Sequence, residues 1–257
     1  MSADVLFNVT DLGIRFGGIR AVEGVSFEVK RGEVFSIIGP NGAGKTTIFN
    51  LISRIYNPTT GRLHFEGRDI TETPPHMIAG LGIARTFQNI ELFPNATLLQ
   101  NLLIGRHCHS KVGLFSQLAF LPSVARAELE HRKRAEEVIA FLGLQRHRDS
   151  LIANLPYGVR KVVELGRALC TEPKLLLLDE PSSGLNVEET EEMAYWIDDI
   201  KKDLGITVIM VEHDMKLVSA VSDRVMALNY GRILAMGTAS EVQGDPEVIR
   251  AYIGGEA

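Results

Sequence analysis

Two cysteines, Cys108 and Cys170, and a single tryptophan are present among 257 residues. Two unclustered thiols exclude a disulfide scaffold and a cysteine-rich zinc site, and they fit a reducing compartment. No window holds about 18 consecutive apolar residues, so no membrane-spanning helix is expected. The opening Met1-Ser2-Ala3-Asp4 has no basic segment leading into an apolar stretch, so no secretion signal is expected. Basic excess is missing as well. Lys and Arg number 27 against 32 Asp and Glu, a net charge of −5, which argues against a protein that lives on nucleic acid or lies flat on anionic lipid. Sustained heptads, internal repeats, low-complexity tracts and linkers are also wanting. What remains is 45% hydrophobic and 23% charged, the composition of an ordinary globular chain. Its length suits one compact unit with subdomains.

The hydrophobic pattern changes along the chain. Val25, Phe27 and Val29 alternate with Ser26, Glu28 and Lys30, the period-two signature of a half-buried strand. A short buried strand is expected at Val34–Ile38, and Leu63 and Phe65 after Thr59-Thr60-Gly61 predict another half-buried one. The middle third, 95–172, turns helical. There Ser123 is expected to cap a helix, Ala135, Val138, Ile139 and Leu142 share its inner face, and Gly143 ends it. Glu128 with Arg132, and Glu130 with Arg134, are spaced to support it from solvent. Beyond that, Leu175–Leu178 and Ile206–Val211 are unbroken apolar runs, expected of strands covered on both faces. A helix-compatible stretch, 187–203, lies between them, and Val225–Leu228 and Ile233–Ala235 flank a turn at 229–232. Strands alternating with helices indicate an α/β fold with a parallel sheet.

The chemistry begins at Gly39-Pro40-Asn41-Gly42-Ala43-Gly44-Lys45-Thr46, which matches the phosphate-cradling pattern G-x-x-x-x-G-K-[ST]. The context agrees, with the buried strand 34–38 before it and a helical stretch, Thr46–Ser53, after it. Glycines let successive backbone N–H groups curl around phosphates that side chains would crowd, and the helix N-terminus adds about half a positive charge. Lys45 is placed to reach the β- and γ-phosphates and the Thr46 hydroxyl to ligate Mg²⁺. Downstream, Leu175-Leu176-Leu177-Leu178-Asp179-Glu180 has the form of a Walker B strand. Asp179 would hold Mg²⁺ through water, and Glu180 would orient or deprotonate the attacking water. His213 closes the strand 207–211 at the sheet edge where open α/β sheets bind ligands, within reach of a γ-phosphate. The other six histidines show no metal-ligand spacing.

With these motifs in order, the chain resembles the ATP-binding subunits of ABC transporters over nearly its whole length. Arg85-Thr86-Phe87-Gln88 resembles the Q-loop, with Gln88 sensing metal and water. Ser183-Gly184-Leu185-Asn186 looks like the D-loop, Val211-Glu212-His213-Asp214 like the H-loop, and Leu155-Pro156-Tyr157-Gly158 occupies the place of the signature motif. Phe16 matches the aromatic that stacks on adenine, and Thr47 extends the phosphate loop. The resemblance implies a P-loop NTPase of ABC type: a RecA-like parallel-sheet core, an N-terminal antiparallel β subdomain (with the P-loop core, about 1–90), a helical signature subdomain (about 91–170) and the rest of the core with a tail (about 171–257). It implies ATP and Mg²⁺ as ligands, a second ATPase subunit, two membrane-spanning permease subunits, and a location at the inner face of the cell membrane.

Within the family the chain most resembles a subunit of importers for branched-chain and other hydrophobic amino acids, on Arg85–Asn89 with Leu92-Phe93, the insertion around Val112–Phe115, and the ending Asp245–Gly254. That resemblance implies an extracytoplasmic binding protein that delivers the solute. The alternative within the family is an importer of amides, urea or aromatic acids. There are departures. Pro156 stands where the family has a serine hydroxyl for the γ-phosphate, Val159 replaces a glutamine, and Asn186 replaces an aspartate. Pairing with an ATPase whose signature is intact would then leave this chain's own P-loop the stronger site. Ile90, Leu92 and Phe93, in the segment 88–105, are expected to offer a groove to a short permease helix.

Other nucleotide proteins fit less well. Translation-type ABC ATPases hold two cassettes per chain, and DNA-repair types carry long coiled coils. Neither they nor nucleic acid as a partner suit one acidic cassette without heptads. A P-loop GTPase would need Asn-Lys-x-Asp, and Ile200-Lys201-Lys202-Asp203 lacks the asparagine. Glu180 argues against a module that binds ATP without cutting it.

Overall fold

Two kinds of strand, half-buried and wholly buried, build two sheets. In the computed structural model, which describes residues 4–109 and 122–253, the first two strands are β1 (Val5–Phe16) and β2 (Ile19–Lys30). They pair antiparallel with β4 (Thr60–Phe65) and the short β5 (Arg68–Asp69) in the order β2-β1-β4-β5. A second sheet has the order β10-β9-β3-β8-β7-β6. Its members are β3 (Val34–Ile38), β6 (Ile83–Arg85), β7 (Leu175–Asp179), β8 (Thr207–Val211), β9 (Arg224–Asn229) and β10 (Arg232–Gly237). All neighbours in it run parallel except the edge strand β10. This is the expected fold class.

β3, β7 and β8 are buried at every residue, and successive side chains serve opposite faces. Phe35, Ile37, Leu175, Leu177, Ile209 and Val211 join a cluster with Ile48, Phe49, Leu51 and Ile52 of α1 (Lys45–Ile52) and the inner face of the antiparallel sheet. Helix α1 is therefore sandwiched between the two sheets. Val34, Ile38, Leu176, Leu178, Val208 and Met210 face the other way. There they meet α5 (Tyr157–Leu169), α6 (Val187–Lys202) and α7 (Met215–Val221).

Between β6 and β7 lie α3 (Leu98–Gly105), a 3₁₀ turn at Arg106–His109, α4 (Pro122–Phe141) and α5; α2 (Pro75–Leu81) precedes β6. Helix α4 starts at Pro122, so Ser123 falls inside the first turn instead of capping it. Its buried face is Ala135, Ile139 and Leu142, Gly143 follows it in the left-handed region with φ 66°, and Glu130 meets Arg134 at 3.2 Å. The insertion Val112–Phe115 and the terminal Gly254 lie outside the described residues. Two short helices, α8 (Ala239–Gly244) and α9 (Pro246–Ile253), close the chain. Among the described residues no helix is long and apolar enough to cross a membrane, and no cluster of three or more His, Cys, Asp or Glu could hold a metal.

The two thiols report on this packing. Cys170 is 1% exposed, and burial pushes its thiol up to about 12, whereas Cys108 is exposed. A thiol reagent at pH 8 is expected to modify Cys108 alone in the folded protein and both cysteines in denaturant, read by mass spectrometry. Rapid double labelling of the folded chain would contradict the burial of α5 against the sheet.

Candidate functional site

Register sets the site. Ile37 pairs with Val211, Val211 with Asp179, and Ile38 with Ala227, so β3, β8 and β7 end level with one another. The residues that leave the sheet there, Gly39, Glu212 and Glu180, share one edge, at the carboxyl ends where open α/β sheets receive ligands. Three segments far apart in sequence meet because three buried strands stop together.

The loop 39–44 turns the chain from β3 into α1. Gly39 (φ 150°) passes so close to β9 that a Cβ there would lie 2.3 Å from the Leu228 carbonyl oxygen. Gly44 (φ 104°) caps α1 in a left-handed conformation, and a Cβ there would lie 2.8 Å from the Ala21 carbonyl oxygen. Ala43 bonds into the loop, its N–H to the Pro40 carbonyl at 3.1 Å, and accepts from Gly231 N–H at 2.8 Å. Asn41, Gly42 and Thr46 are exposed and Thr47 is half-buried. A helix leaves its first N–H groups without intrahelical partners, so the start of α1 offers donors and no acceptor, a match for phosphate oxygens. The Lys45 ammonium lies over this cradle, donating to the carbonyls of Gly39 (2.6 Å) and Pro40 (3.1 Å). Burial pushes it below its ordinary range, against the pull of Glu180 and Asp179.

The acidic pair is held from several sides. Asp179 Oδ2 accepts from Arg85 at 2.7 Å, in an ion pair buried on both partners. Arg85 Nη1 donates to Asn50 Oδ1 of α1 (2.7 Å) and to Ser53 Oγ just past that helix (2.9 Å), and the guanidinium lies over the rings of Phe49 and Phe87. Glu180 has a positive φ of 48°, which swings its carboxylate out of the strand line. Gln88 Nε2 donates to Glu180 Oε2 at 2.8 Å, and His213 Nδ1 stands 3.9 Å from that oxygen. Glu212 is wholly buried and accepts the N–H groups of Ser182 (2.8 Å), His213 (2.8 Å) and Asp214 (3.2 Å), pinning the two loops that carry Glu180 and His213.

The residues expected to face a second subunit divide. Pro156 and Tyr157 are exposed at the start of α5, whereas Leu155 is 6% exposed and belongs to the core. Gly158 lies under the Glu189 carboxylate, where a Cβ would come within 2.2 Å of Oε1. Asn186 caps α6, accepting from Glu189 N–H at 2.9 Å while Glu189 accepts from its own N–H at 3.0 Å. Phe16 is half exposed at the end of β1, edge-on to Tyr56 at 5.2 Å.

Phe87 and Ile104, with Ile55 and Ile78, line a groove of about 370 Å³ beside Arg85 and Arg167. Of the residues expected to offer a groove to a permease helix, Leu92 packs partly buried against the core and Phe93 is exposed; neither lines this groove. The sequence reading also passed over Arg85 and Glu212 as working groups. Each was visible as a charge abutting an apolar strand, a pattern that demands a buried partner.

Comparison with known proteins agrees with this geometry. Residues 22–183 match the family model described as ABC transporter, and residues 232–257 match that of the branched-chain amino acid ATP-binding cassette transporter. The chain is 43% identical to the high-affinity branched-chain amino acid transport ATP-binding protein LivG of Salmonella typhimurium, covering 97% of this chain and 98% of that one. It is 39% identical to BraF of Pseudomonas aeruginosa, a protein of the same description, over 99% of both. The ADP conformation of MJ1267, an ATP-binding cassette of an ABC transporter, superposes with a TM-score of 0.86 at 33% identity, over 97% of this chain and 99% of that one.

Removing one partner of a buried ion pair leaves the other charge without compensation, at a cost of about 3–5 kcal/mol. Arg85→Met is therefore expected to lower unfolding stability by about that amount, measured by urea titration. A loss below about 1 kcal/mol, the value of a surface pair, would mean that Arg85 does not hold Asp179.

Proposed function

The chain belongs to the ABC transporter family and is an ATPase, and we propose that it powers the import of branched-chain or related hydrophobic amino acids as the cytoplasmic subunit of a membrane transporter. The near-full-length likeness to LivG and BraF carries this reading. Convergence of the phosphate loop, Asp179, Glu180, Gln88 and His213 on one sheet edge supports it chemically. We read the whole chain as one cassette, with subdomains at about 1–90, 91–170 and 171–257.

In this reading Gly39–Thr47 grip the phosphates of ATP through backbone N–H groups, and Lys45 exchanges the Gly39 and Pro40 carbonyls for β- and γ-phosphate oxygens. Phe16, beside Tyr56, takes the adenine face. Thr46, Asp179 and Gln88 would hold Mg²⁺, which neutralises charge on the phosphates when bound. The donor set fits: a hydroxyl, a carboxylate and an amide are the oxygen ligands that a hard cation selects. Glu180 accepts the proton of a water whose oxygen attacks the γ-phosphorus. The bond from that phosphorus to the bridging oxygen breaks, leaving ADP and phosphate. Gln88, already bonded to Glu180, fixes its rotamer, and His213 contacts the γ-phosphate from the neighbouring loop.

A second ATPase subunit would close the site from outside, with Pro156, Tyr157 and Asn186 of this chain facing the nucleotide held by its partner. The permeases would hold the pair at the inner membrane face, a short helix of each seated in the groove lined by Ile55, Ile78, Phe87 and Ile104. A binding protein outside would supply solute.

Loss of a positioned general base costs about 10²–10⁴-fold. Glu180→Gln is expected to cut turnover of the assembled transporter to well under half while Mg-ATP binding, followed by a fluorescent analogue, persists. Lys45→Ala is expected to lose that binding. Retention of more than half the rate by Glu180→Gln would end the view that this chain's own P-loop is the stronger of two sites. Proteoliposome uptake should favour labelled leucine over urea, amides and aromatic acids, and the reverse order would reassign the solute.

A further inference from the structure

Helix α5 carries three charged residues along one stripe, two of them buried and the third, Arg167, half-buried. Lys161 is 4% exposed and Glu164 2%, and Arg167 completes the i, i+3, i+6 series. None of them is part of the hydrolytic machinery described above. Burying an ammonium and a carboxylate costs several kcal/mol each, and apolar residues of similar size would pack there without that cost. Their partners explain them. Lys161 Nζ donates to the Gln88 carbonyl at 3.1 Å. Glu164 Oε1 receives the N–H groups of Phe87 (3.4 Å) and Glu91 (3.5 Å), while Arg167 donates to the Glu91 carbonyl and stands 3.8 Å from Glu164.

Residues 86–92 have no helix or strand of their own, so their backbone groups must find partners elsewhere. Thr86 N–H goes to the Leu177 carbonyl at 2.9 Å; for Phe87, Gln88 and Glu91 the partners are side chains of the helix that begins with the signature. Burial drives the Lys161 ammonium down, opposed by Glu164, Glu212, Glu180 and Asp179, so this lysine sits under the acids of the hydrolytic edge. At its other end α5 touches the loop after Glu180, where the Tyr157 hydroxyl donates to the Ser183 carbonyl at 3.3 Å.

We propose that Lys161 and Glu164 are positioning residues for hydrolysis: they lock the backbone of the Gln88 segment to the signature helix, so that Gln88 meets Glu180 only when that helix is seated. Resting on the reading of the chain as a transporter ATPase, this gives each subunit an internal strut. Nucleotide held by the partner against Pro156 and Tyr157 is felt at Gln88 and Glu180 of the same chain. Rigidity is the return on the buried charge, as hydrogen bonds to a loop backbone define its place more narrowly than apolar contact does.

The test uses the assembled transporter with its permeases and companion ATPase. Lys161→Met is expected to lower kcat at least tenfold with KM for ATP within twofold and with the thermal midpoint maintained. Lys161→Arg is expected to recover at least half the rate. Lys161→Met combined with Gln88→Ala should be no more than twofold slower than Gln88→Ala alone, because both cut the same link. A kcat for Lys161→Met within twofold of the parent, or losses that multiply in the double variant, would overturn the proposal. Should Lys161→Met not fold, Glu164→Leu is put through the same cycle with the same two criteria. A parent complex without ATPase activity would refute the functional reading instead; an active parent, silenced by Glu180→Gln but indifferent to Lys161→Met, would refute the strut alone.

Discussion

The level ending of three parallel strands is the constraint on which the molecule depends. β3, β7 and β8 are apolar at nearly every position because each is covered on both faces, by α1 and the antiparallel sheet on one side and by α5, α6 and α7 on the other. A shift of one residue in any of them would turn Phe35, Leu177 or Ile209 onto the wrong face. The register is therefore fixed by burial, and with it the positions of Gly39, Glu180 and Glu212 at the exit. Catalytic geometry here is a by-product of core packing. No contact among the polar groups needs to be strong enough to assemble the edge by itself.

Beneath that edge lies a second layer, buried and charged. Arg85 binds Asp179 and α1 together, Glu212 gathers three N–H groups from two loops, and α5 supplies Lys161, Glu164 and Arg167 to the Gln88 segment. Each group is expensive to dehydrate, and each meets a partner whose own loss would leave it stranded. Such networks add little net stability. Their effect is to narrow the conformations open to the loops at 86–92, 180–183 and 212–214, which carry side chains that must meet within an ångström or so for water to be aligned. A dry apolar layer would hold the same loops less sharply.

Much of this was legible in residues alone. Patterns with a mechanical cause read well: the phosphate loop, the Leu175–Asp179 strand, and the alternation of elements all follow from local geometry. His213 was read from its place at a strand end and Gln88 through the resemblance, and the structure brings both to Glu180. Features that depend on which distant segment lies opposite did not read. Nothing around Arg85 tells that Asp179, 94 residues on, will face it. A groove formed by Ile55, Ile78, Phe87 and Ile104 draws on four separate elements or loops, so no contiguous run of sequence displays it. Ser123 failed as a cap for a smaller reason. Proline suits the first turn of a helix, its missing N–H costing nothing there, and α4 starts at Pro122.

The departures from the family's signature belong together once their contacts are seen. Pro156 stands at the N-cap position of α5 in an extended conformation, φ −54° and ψ 156°, which its ring favours. Tyr157, next to it, lays its ring over Gly184 and its hydroxyl on Ser183. Glu189 covers Gly158 and closes the cap of α6 with Asn186. The signature of this chain is thus braced by its own D-loop and α6, using side chains that would otherwise reach outward. Bracing of this kind trades direct contact for position. A serine hydroxyl and an aspartate carboxylate are given up, and what faces outward is the dipole of a 13-residue helix held at both ends. The helix so held is the one that straps Gln88. The altered residues at the start of α5 and the buried charge along it are therefore two parts of one arrangement; if that end faces a second subunit as proposed, the orientation of α5 would carry what the missing hydroxyl does not.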